Sequence, residues 1–406
     1  MKKKRAIFAF VVVSILSAQI AHAEIKVKLG VVTDMSGLYA DFSGQGSFEA
    51  AKMAAEDFMA ANKDVKVEVI AADHQNKPDI AASIARKWFD NDGVDAIVDV
   101  ATSSAALAVS SITKDKNKVF LATNAASTDL TGKQCSPNTV HWTFDTWGFA
   151  HSTGEYLVKQ GKESWFFLTA DYVYGHTVER ETTEVIKASG GKVLGSVKHP
   201  LNTPDFSSFL LQAQSSKAKI IALANAGGDT VNAIKQASEF GIVAGGQELA
   251  ALAIFLSDVH SLGLQTAQGL KLTTWFYWDL NDTTRAFAKR FAQRRSGQYP
   301  SMGQAGTYSA SLLYLEAVKK RGSASDGAKV VAAMREKGEY DDPLFGRTQV
   351  RTDGRATHPI YLAEVKKPAE SKAPYDYYKI LATIPPEKSA RSLAESKAAG
   401  CLLAVD

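Results

Sequence analysis

Apolar runs of strand length alternate with amphipathic helical runs from residue 25 to residue 276. That alternation constrains the fold more than any other feature. Ile25–Val32, Val65–Ala71, Ala96–Val100 and Val119–Ala122 read as strands. Between them lie the helical stretches Gln45–Ala61 and Asp79–Asp90, and a third from about Ser103. Phe48, Ala51, Ala55 and Phe58 fall on one stripe of the first helix. The pattern then restarts. A helix over Gly148–Gln160 leads to strands Ser164–Thr169, Lys192–Lys198, Ile220–Ala224, Glu248–Ala253 and Leu270–Phe276, with helices Val178–Ala188, Phe206–Gln214, Val231–Phe240 and Phe255–Leu262 between them. This repetition predicts an α/β protein with two doubly wound lobes, each a parallel sheet covered by helices on both faces.

The remainder is organised differently. Three helical segments, about Thr283–Gln298, Gly303–Lys320 and Gly327–Lys337, precede a β-rich stretch from Thr348 to Ile384 and a tail. Short crossovers between the lobes are expected near Thr143–Trp147, Thr274–Asp279 and Arg347–Asp353. At the other end, Lys2, Lys3, Lys4 and Arg5 precede an apolar run from Ile7 to Ile20 and the small-residue site Ala21-His22-Ala23. This reads as a secretory signal peptide cleaved before Glu24. The competing membrane anchor needs about 20 apolar residues, more than the run supplies. The expected division is 1–23 signal peptide, 24–146 with 280–349 as the first lobe, 147–279 with 350–384 as the second, and 385–406 as a C-terminal tail.

Export changes how the two cysteines are read. Cys135 and Cys401 form an even pair in an oxidising compartment, so one disulfide tying the tail back is expected over two buried thiols. Charge excludes a partner class. With the four basic residues of the leader set aside, 43 basic residues face 43 acidic ones, which gives no electrostatic case for nucleic acid or an anionic membrane. Metal binding lacks ligand spacing. No cofactor is expected.

Several segments together carry a resemblance. Leu29-Gly30-Val31-Val32-Thr33-Asp34-Met35-Ser36-Gly37, Gly44-Gln45-Gly46 before Ala50-Ala51-Lys52-Met53-Ala54, Asp171-Tyr172-Val173-Tyr174-Gly175 and Thr203-Pro204-Asp205-Phe206 follow one another in a specific order. In this the chain resembles the type I periplasmic solute-binding proteins of ABC transporters, in the branched-chain amino-acid-binding branch, over Ile25–Ile384. The resemblance implies two Rossmann-like lobes joined by three crossovers, a solute held between them, and a membrane permease that reads the closed form. A periplasmic monomer that captures a small-molecule carboxylate or amino acid is expected.

The loops at the carboxyl ends of parallel strands are where such sheets bind ligands, independently of the family. Thr102 and Ser103 open a helix whose amides and hydroxyls suit a carboxylate, although a plain N-cap explains them too. The resemblance places a carboxylate-binding serine at Thr102, and a backbone amide and hydroxyl among Asn124, Ala125 and Ser127. From the second lobe it suggests Tyr172 or Tyr174 and the loop holding Asn225 and Gly228. Tyr39 is placed over an apolar part of the ligand, and Tyr277 at a crossover.

One departure from the pattern bears on the ligand. Amino-acid binders of this family set an acidic residue opposite the α-ammonium, and Leu252 or Ala253 stands at that place. Asp229 and Asp258 are near in sequence but not aligned. An unpaired ammonium in a closed cleft costs several kcal/mol. A carboxylate without an α-amine, aromatic acids included, is therefore the expected ligand, with an amino acid as the alternative. An enzyme is the weaker reading: Gly44-x-Gly46 lacks the third glycine of a dinucleotide fingerprint, and no nucleophile elbow, P-loop or His-Glu-x-x-His is present. Presentation of the ligand to a separate sensor remains a rival to transport.

Overall fold

The computed structural model describes residues 24–405, so the expected signal peptide at 1–23 lies outside the described residues. The first lobe is built on a parallel sheet of β1 (Ile25–Thr33), β2 (Val65–Asp73), β3 (Ala96–Asp99), β4 (Val119–Ala122) and β5 (Thr139–His141), in the order β2-β1-β3-β4-β5. Helices α1 (Gly44–Ala61), α2 (Pro78–Asp90) and α3 (Ser103–Asp115) connect them. β3 and β4 are buried along their whole length because helices cover both faces.

The chain then leaves the first sheet through a helical run, α4 (Thr146–Phe149), a π-turn at Ala150–Gly154 and α5 (Glu155–Lys159). A single helix was expected here. The extra residue of the turn coincides with Ser152, whose hydroxyl bonds the Gly148 carbonyl at 2.7 Å and also the Thr273 hydroxyl. A side chain inserted into the helical ladder is a usual cause of such a bulge.

The second lobe repeats the plan. β6 (Ser164–Ala170), α6 (Val173–Ala188), β7 (Lys192–His199), α7 (Ser207–Ser215), β8 (Ile220–Ala224), α8 (Gly228–Glu239) and β9 (Glu248–Ala251) give a parallel sheet ordered β7-β6-β8-β9. After α9 (Leu256–Leu262) and α10 (Leu264–Ala267), β10 (Lys271–Thr274) starts a second, antiparallel sheet. The chain returns to the first lobe with α11 (Asp282–Arg294), α12 (Met302–Arg321) and α13 (Gly327–Arg335). A Ser301/Gln304 capping box starts α12 and left-handed Gly322 ends it. α12 lies along α1, and Gly303 lets it approach β4: a Cβ there would sit 1.7 Å from Asn124 Oδ1.

β11 (Tyr340–Asp342), β12 (Gly346–Val350) and β13 (Ala356–Thr357) form a small antiparallel sheet, while β14 (Ile360–Val365) and β15 (Tyr378–Ile384) pair with β10. Arg355 bridges to His141 of β5. The third passage between lobes is therefore at His358–Pro359, later than the expected Arg347–Asp353, because the turn between β12 and β13 stays with the first lobe.

One buried side chain anchors the first crossover. Arg355, 1% exposed, donates from Nε to Asp145 Oδ2 at 2.8 Å and from Nη1 to the carbonyls of His141 and Trp142 at 2.9 and 3.0 Å; Nη2 donates to the Thr143 carbonyl. The tail carries α14 (Leu393–Ala398) and is tied to the loop after β4 by the Cys135–Cys401 disulfide, with a Cα–Cα separation of 5.5 Å. Ser396 adds a hydrogen bond to Asp353 at 2.8 Å.

Candidate functional site

The carboxyl ends of both parallel sheets face one another, and the loops that leave them meet. Tyr39 and Tyr172 share a hydrogen bond of 2.5 Å between hydroxyls, one from each lobe. The Gly228 amide donates to the Leu38 carbonyl at 3.1 Å. Phe42 stacks on Phe255 with centroids 3.9 Å apart and planes at 10°. Gly227 makes this approach possible: its φ is 58°, and a Cβ would lie 2.4 Å from the Leu38 carbonyl oxygen. The lobes are thus closed on one another in this structure.

The loop between β3 and α3 carries the expected carboxylate site. Thr102 is the N-cap of α3, yet its side chain does not cap the helix. Its hydroxyl instead lies 2.5 Å from Asn76 Oδ1, while Asn76 Nδ2 lies 2.5 Å from Asp34 Oδ2. Asp34 also accepts from the amides of Gly37 at 2.7 Å and Tyr39 at 2.8 Å. The carboxylate offers only acceptors, so it fixes which end of the Asn76 amide faces it. Asn76 Oδ1 then takes the Thr102 proton. Thr102 is held in place and has no proton left for a ligand, whereas the first-turn amides of α3 and the Ser103 hydroxyl keep theirs. Asp99 and Val100, just before this loop, sit at φ 85° and 61°. A β-branched residue there is a genuine outlier, and such strain clusters at binding loops.

The loop after β4 is held by hydrogen bonds to the first lobe. Asn124 turns its side chain into the first lobe, with Nδ2 3.2 Å from Ser47 Oγ. The Ala125 carbonyl takes the His141 imidazole at 2.8 Å. Ser127 Oγ accepts the Asp129 amide at 3.3 Å, which leaves its own proton to donate.

In the second lobe, Tyr172 and Tyr174 come together with ring centroids 6.1 Å apart, and the buried Tyr174 hydroxyl has no partner among the described residues. Burial, above all, raises the pKa of Tyr39, Tyr172 and Tyr174, so all three stay protonated. Two expected residues serve the lobe's own structure instead. Asn225 is consumed by His199 Nε2 at 3.0 Å and the Thr230 hydroxyl at 2.7 Å. Tyr277 donates to the Tyr375 carbonyl at 3.2 Å, accepts from the amides of Tyr377 and Tyr378, and stacks on Tyr378 in the second core. The aromatic run around it suggested a cleft position, but the backbone of Tyr375–Tyr378, leading into β15, takes its hydroxyl. Gly228 serves lobe contact through its amide.

The place expected for an acidic partner is apolar. Leu252 and Ala253 are fully buried among the aromatic residues that span both lobes. Asp229 receives the amides of Thr203 at 3.0 Å and Asn202 at 3.2 Å, and burial pushes its carboxyl up to about 6. Asp258 receives the Phe255 amide at 2.9 Å and burial pushes it up to about 7. Both acids are engaged by backbone. Among the described residues no group of three or more His, Cys, Asp or Glu is placed to hold a metal, and no helix is long and apolar enough to cross a membrane.

The periplasmic binding protein family matches residues 26–372. The chain belongs to the periplasmic binding protein family. A periplasmic binding protein of Burkholderia mallei is 50% identical with a TM-score of 0.89, covering 94% of this chain and 99% of that one. A branched-chain amino-acid ABC transporter periplasmic ligand-binding protein of Burkholderia xenovorans LB400 is 39% identical with a TM-score of 0.81, covering 93% and 100%. At 22% identity and a TM-score of 0.78, covering 89% and 97%, a solute-binding protein of Rhodopseudomonas palustris HaA2 in complex with p-hydroxybenzoic acid shares the fold. The family binds small molecules and works with ABC transporter permeases.

Proposed function

We propose that this periplasmic binding protein captures a small carboxylate that lacks an α-amine, with an aromatic or otherwise apolar body, and delivers it to an ABC permease after export and removal of residues 1–23. The observation that carries this reading is that Leu252 and Ala253, where the acidic partner of an ammonium is expected, are apolar and buried, while Asp229 and Asp258 already accept backbone amides. The carboxylate end meets the uncapped N-terminus of α3 with Ser103, and the Ser127 hydroxyl. The apolar end meets Tyr39, Tyr172 and Tyr174. A solute that touches both lobes favours the closed state by its differential affinity. The p-hydroxybenzoic acid bound by the Rhodopseudomonas protein is the chemical class meant.

The second reading is a branched-chain amino acid, favoured by the description of the Burkholderia xenovorans relative. A thermal-shift screen of ligand-stripped protein separates the two, because a ligand raises apparent stability by mass action. Stabilisation by benzoate and 4-hydroxybenzoate but not by leucine or valine is expected. Stabilisation by leucine or valine alone overturns the reading and moves attention to Asp229. The functional unit is taken to be a monomer, checked by light scattering in the same preparation.

A further inference from the structure

The loop that carries Ser127 is fastened on both sides of that residue by groups from outside it. On one side the Ala126 carbonyl accepts the Thr146 amide, at the start of α4, at 2.9 Å. On the other side Thr128 is held at two atoms. Its carbonyl accepts Nη2 of Arg391 from the C-terminal tail. Its hydroxyl donates to Glu181 Oε1 of α6 at 2.5 Å and lies 3.4 Å from the Thr146 hydroxyl. Glu181 belongs to the second lobe, so first lobe, second lobe and tail meet at Thr128. Both side chains are nearly buried there, Glu181 7% and Arg391 9% exposed. Gly132 clears the way for the guanidinium: a Cβ at that position would lie 2.8 Å from Arg391 Nη2. The tail is itself anchored. The Arg391 carbonyl accepts Arg351 Nη1 at 2.8 Å, Arg351 pairs with Asp353 at 2.5 Å, and Cys401 is bonded to Cys135 of the same loop.

We propose that the tail is a working part of the solute site: Arg391 is a positioning residue for the Ser127 hydroxyl, and Glu181 brings the second lobe onto the same stretch of chain in the closed form. The inference rests on Ser127 meeting the solute carboxylate, as proposed above, and holds for an amine-free acid or an amino acid alike. Ser127 sits between two residues whose carbonyls are taken from outside the loop, so its backbone has little freedom to turn. Its Oγ accepts the Asp129 amide at 3.3 Å, which leaves the hydroxyl proton as the group the loop presents. A hydrogen bond from a charged donor is roughly twice as strong as a neutral one. Without Arg391 the Thr128 carbonyl loses that partner, the turn over Thr128–Thr131 loosens, and the Ser127 hydroxyl loses its fixed direction. Glu181 supplies the other half. A solute that draws the lobes together also sets this carboxyl on the Thr128 hydroxyl, so the contact adds to the differential affinity for the closed state.

The test uses the whole mature protein with its disulfide intact. Amide hydrogen exchange, without solute, compares the wild type with Arg391→Ala and Arg391→Lys. The amides of Asp129, Leu130 and Gly132, all bonded within the turn, are expected to exchange about tenfold faster in Arg391→Ala and near the wild-type rate in Arg391→Lys, which keeps a charged donor. Dissociation constants for two probes, 4-hydroxybenzoate and L-leucine, are then measured by calorimetry. For whichever probe binds, Arg391→Ala is expected to weaken binding by about tenfold and Glu181→Ala by about fivefold. Arg391→Lys and Glu181→Gln, which keep the donor and the acceptor, stay within about twofold of the wild type. Unchanged exchange at these amides in Arg391→Ala overturns the inference with no ligand needed. Faster exchange with unchanged affinity also overturns it, because the tail then serves the fold alone. Binding of leucine alone, weakened by the same two alanine variants, removes the amine-free reading and leaves this one standing.

Discussion

Replacing Arg355 by alanine tests how much of this two-lobed structure depends on its crossovers. The guanidinium is 1% exposed and serves Asp145 and three carbonyls of the first crossover at once. After the substitution Asp145, itself 1% exposed, keeps the Gly148 amide at 2.7 Å as its remaining donor. Removing one partner of a buried ion pair costs about 3–5 kcal/mol because the other charge is stranded. Total stability is on the order of 5–15 kcal/mol, so about a fifth or more of it is at stake. At a urea m-value of about 3 kcal/mol/M the midpoint falls by roughly 1–2 M. Restoring neutrality with Asp145→Asn beside Arg355→Met is expected to recover most of the loss, since a neutral pair strands no charge. A single-variant loss below about 1 kcal/mol would refute the reasoning, as would a double variant no more stable than Arg355→Ala.

The remaining predictions address closure, pH and the tail. Gly227→Ala puts a methyl group against the Leu38 carbonyl at a φ of 58°. A penalty of about 1.4 kcal/mol on the closed form is tenfold in affinity, and small-angle scattering should show a larger open fraction; unchanged affinity counts against the Gly227–Leu38 contact as the closure point. Asp99 has a folded pKa of about 7 against an unfolded one near 4, so its stabilising contribution is full below about pH 4 and is lost as pH rises through 7. The stability gap between wild type and Asp99→Asn should therefore shift against the wild type by up to about 4 kcal/mol over that window in urea titrations; a flat gap rules out titration there. Replacing Cys135 and Cys401 by serine opens a crosslink spanning 266 residues. A loss of about 2–5 kcal/mol is expected, with early proteolysis in the tail from residue 385; an unchanged cleavage pattern would show that Ser396–Asp353 and its neighbours hold the tail alone.

The parts of the fold readable from sequence are those whose physics is local. Strands β3, β4, β6 and β8 are buried on both faces, so each is a short apolar run that announces itself. β5, only Thr139-Val140-His141, has no such pattern and exists because Phe120–Ala122 of β4 offers a free edge. α6 starts at Val173, five residues before the expected Val178, because Tyr172-Val173-Tyr174-Gly175 has no helical stripe and is fixed by the site instead. The binding loops divide the same way. Thr102 and Ser103 were legible because a strand end followed by a helix start is a local signal. The hydrogen bonds that set their chemistry join residues 26, 42 and 66 positions apart: Thr102 to Asn76, Asn76 to Asp34, Asp99 to Thr33. Local propensity even points the wrong way at Val100, a β-branched residue that the loops around it hold in a left-handed conformation. A site that keeps such strain at its centre needs those distant partners in place before it exists. Substitutions at Asp34 or Asn76, neither of which is itself a proposed ligand contact, should therefore weaken binding as much as substitutions at Ser103.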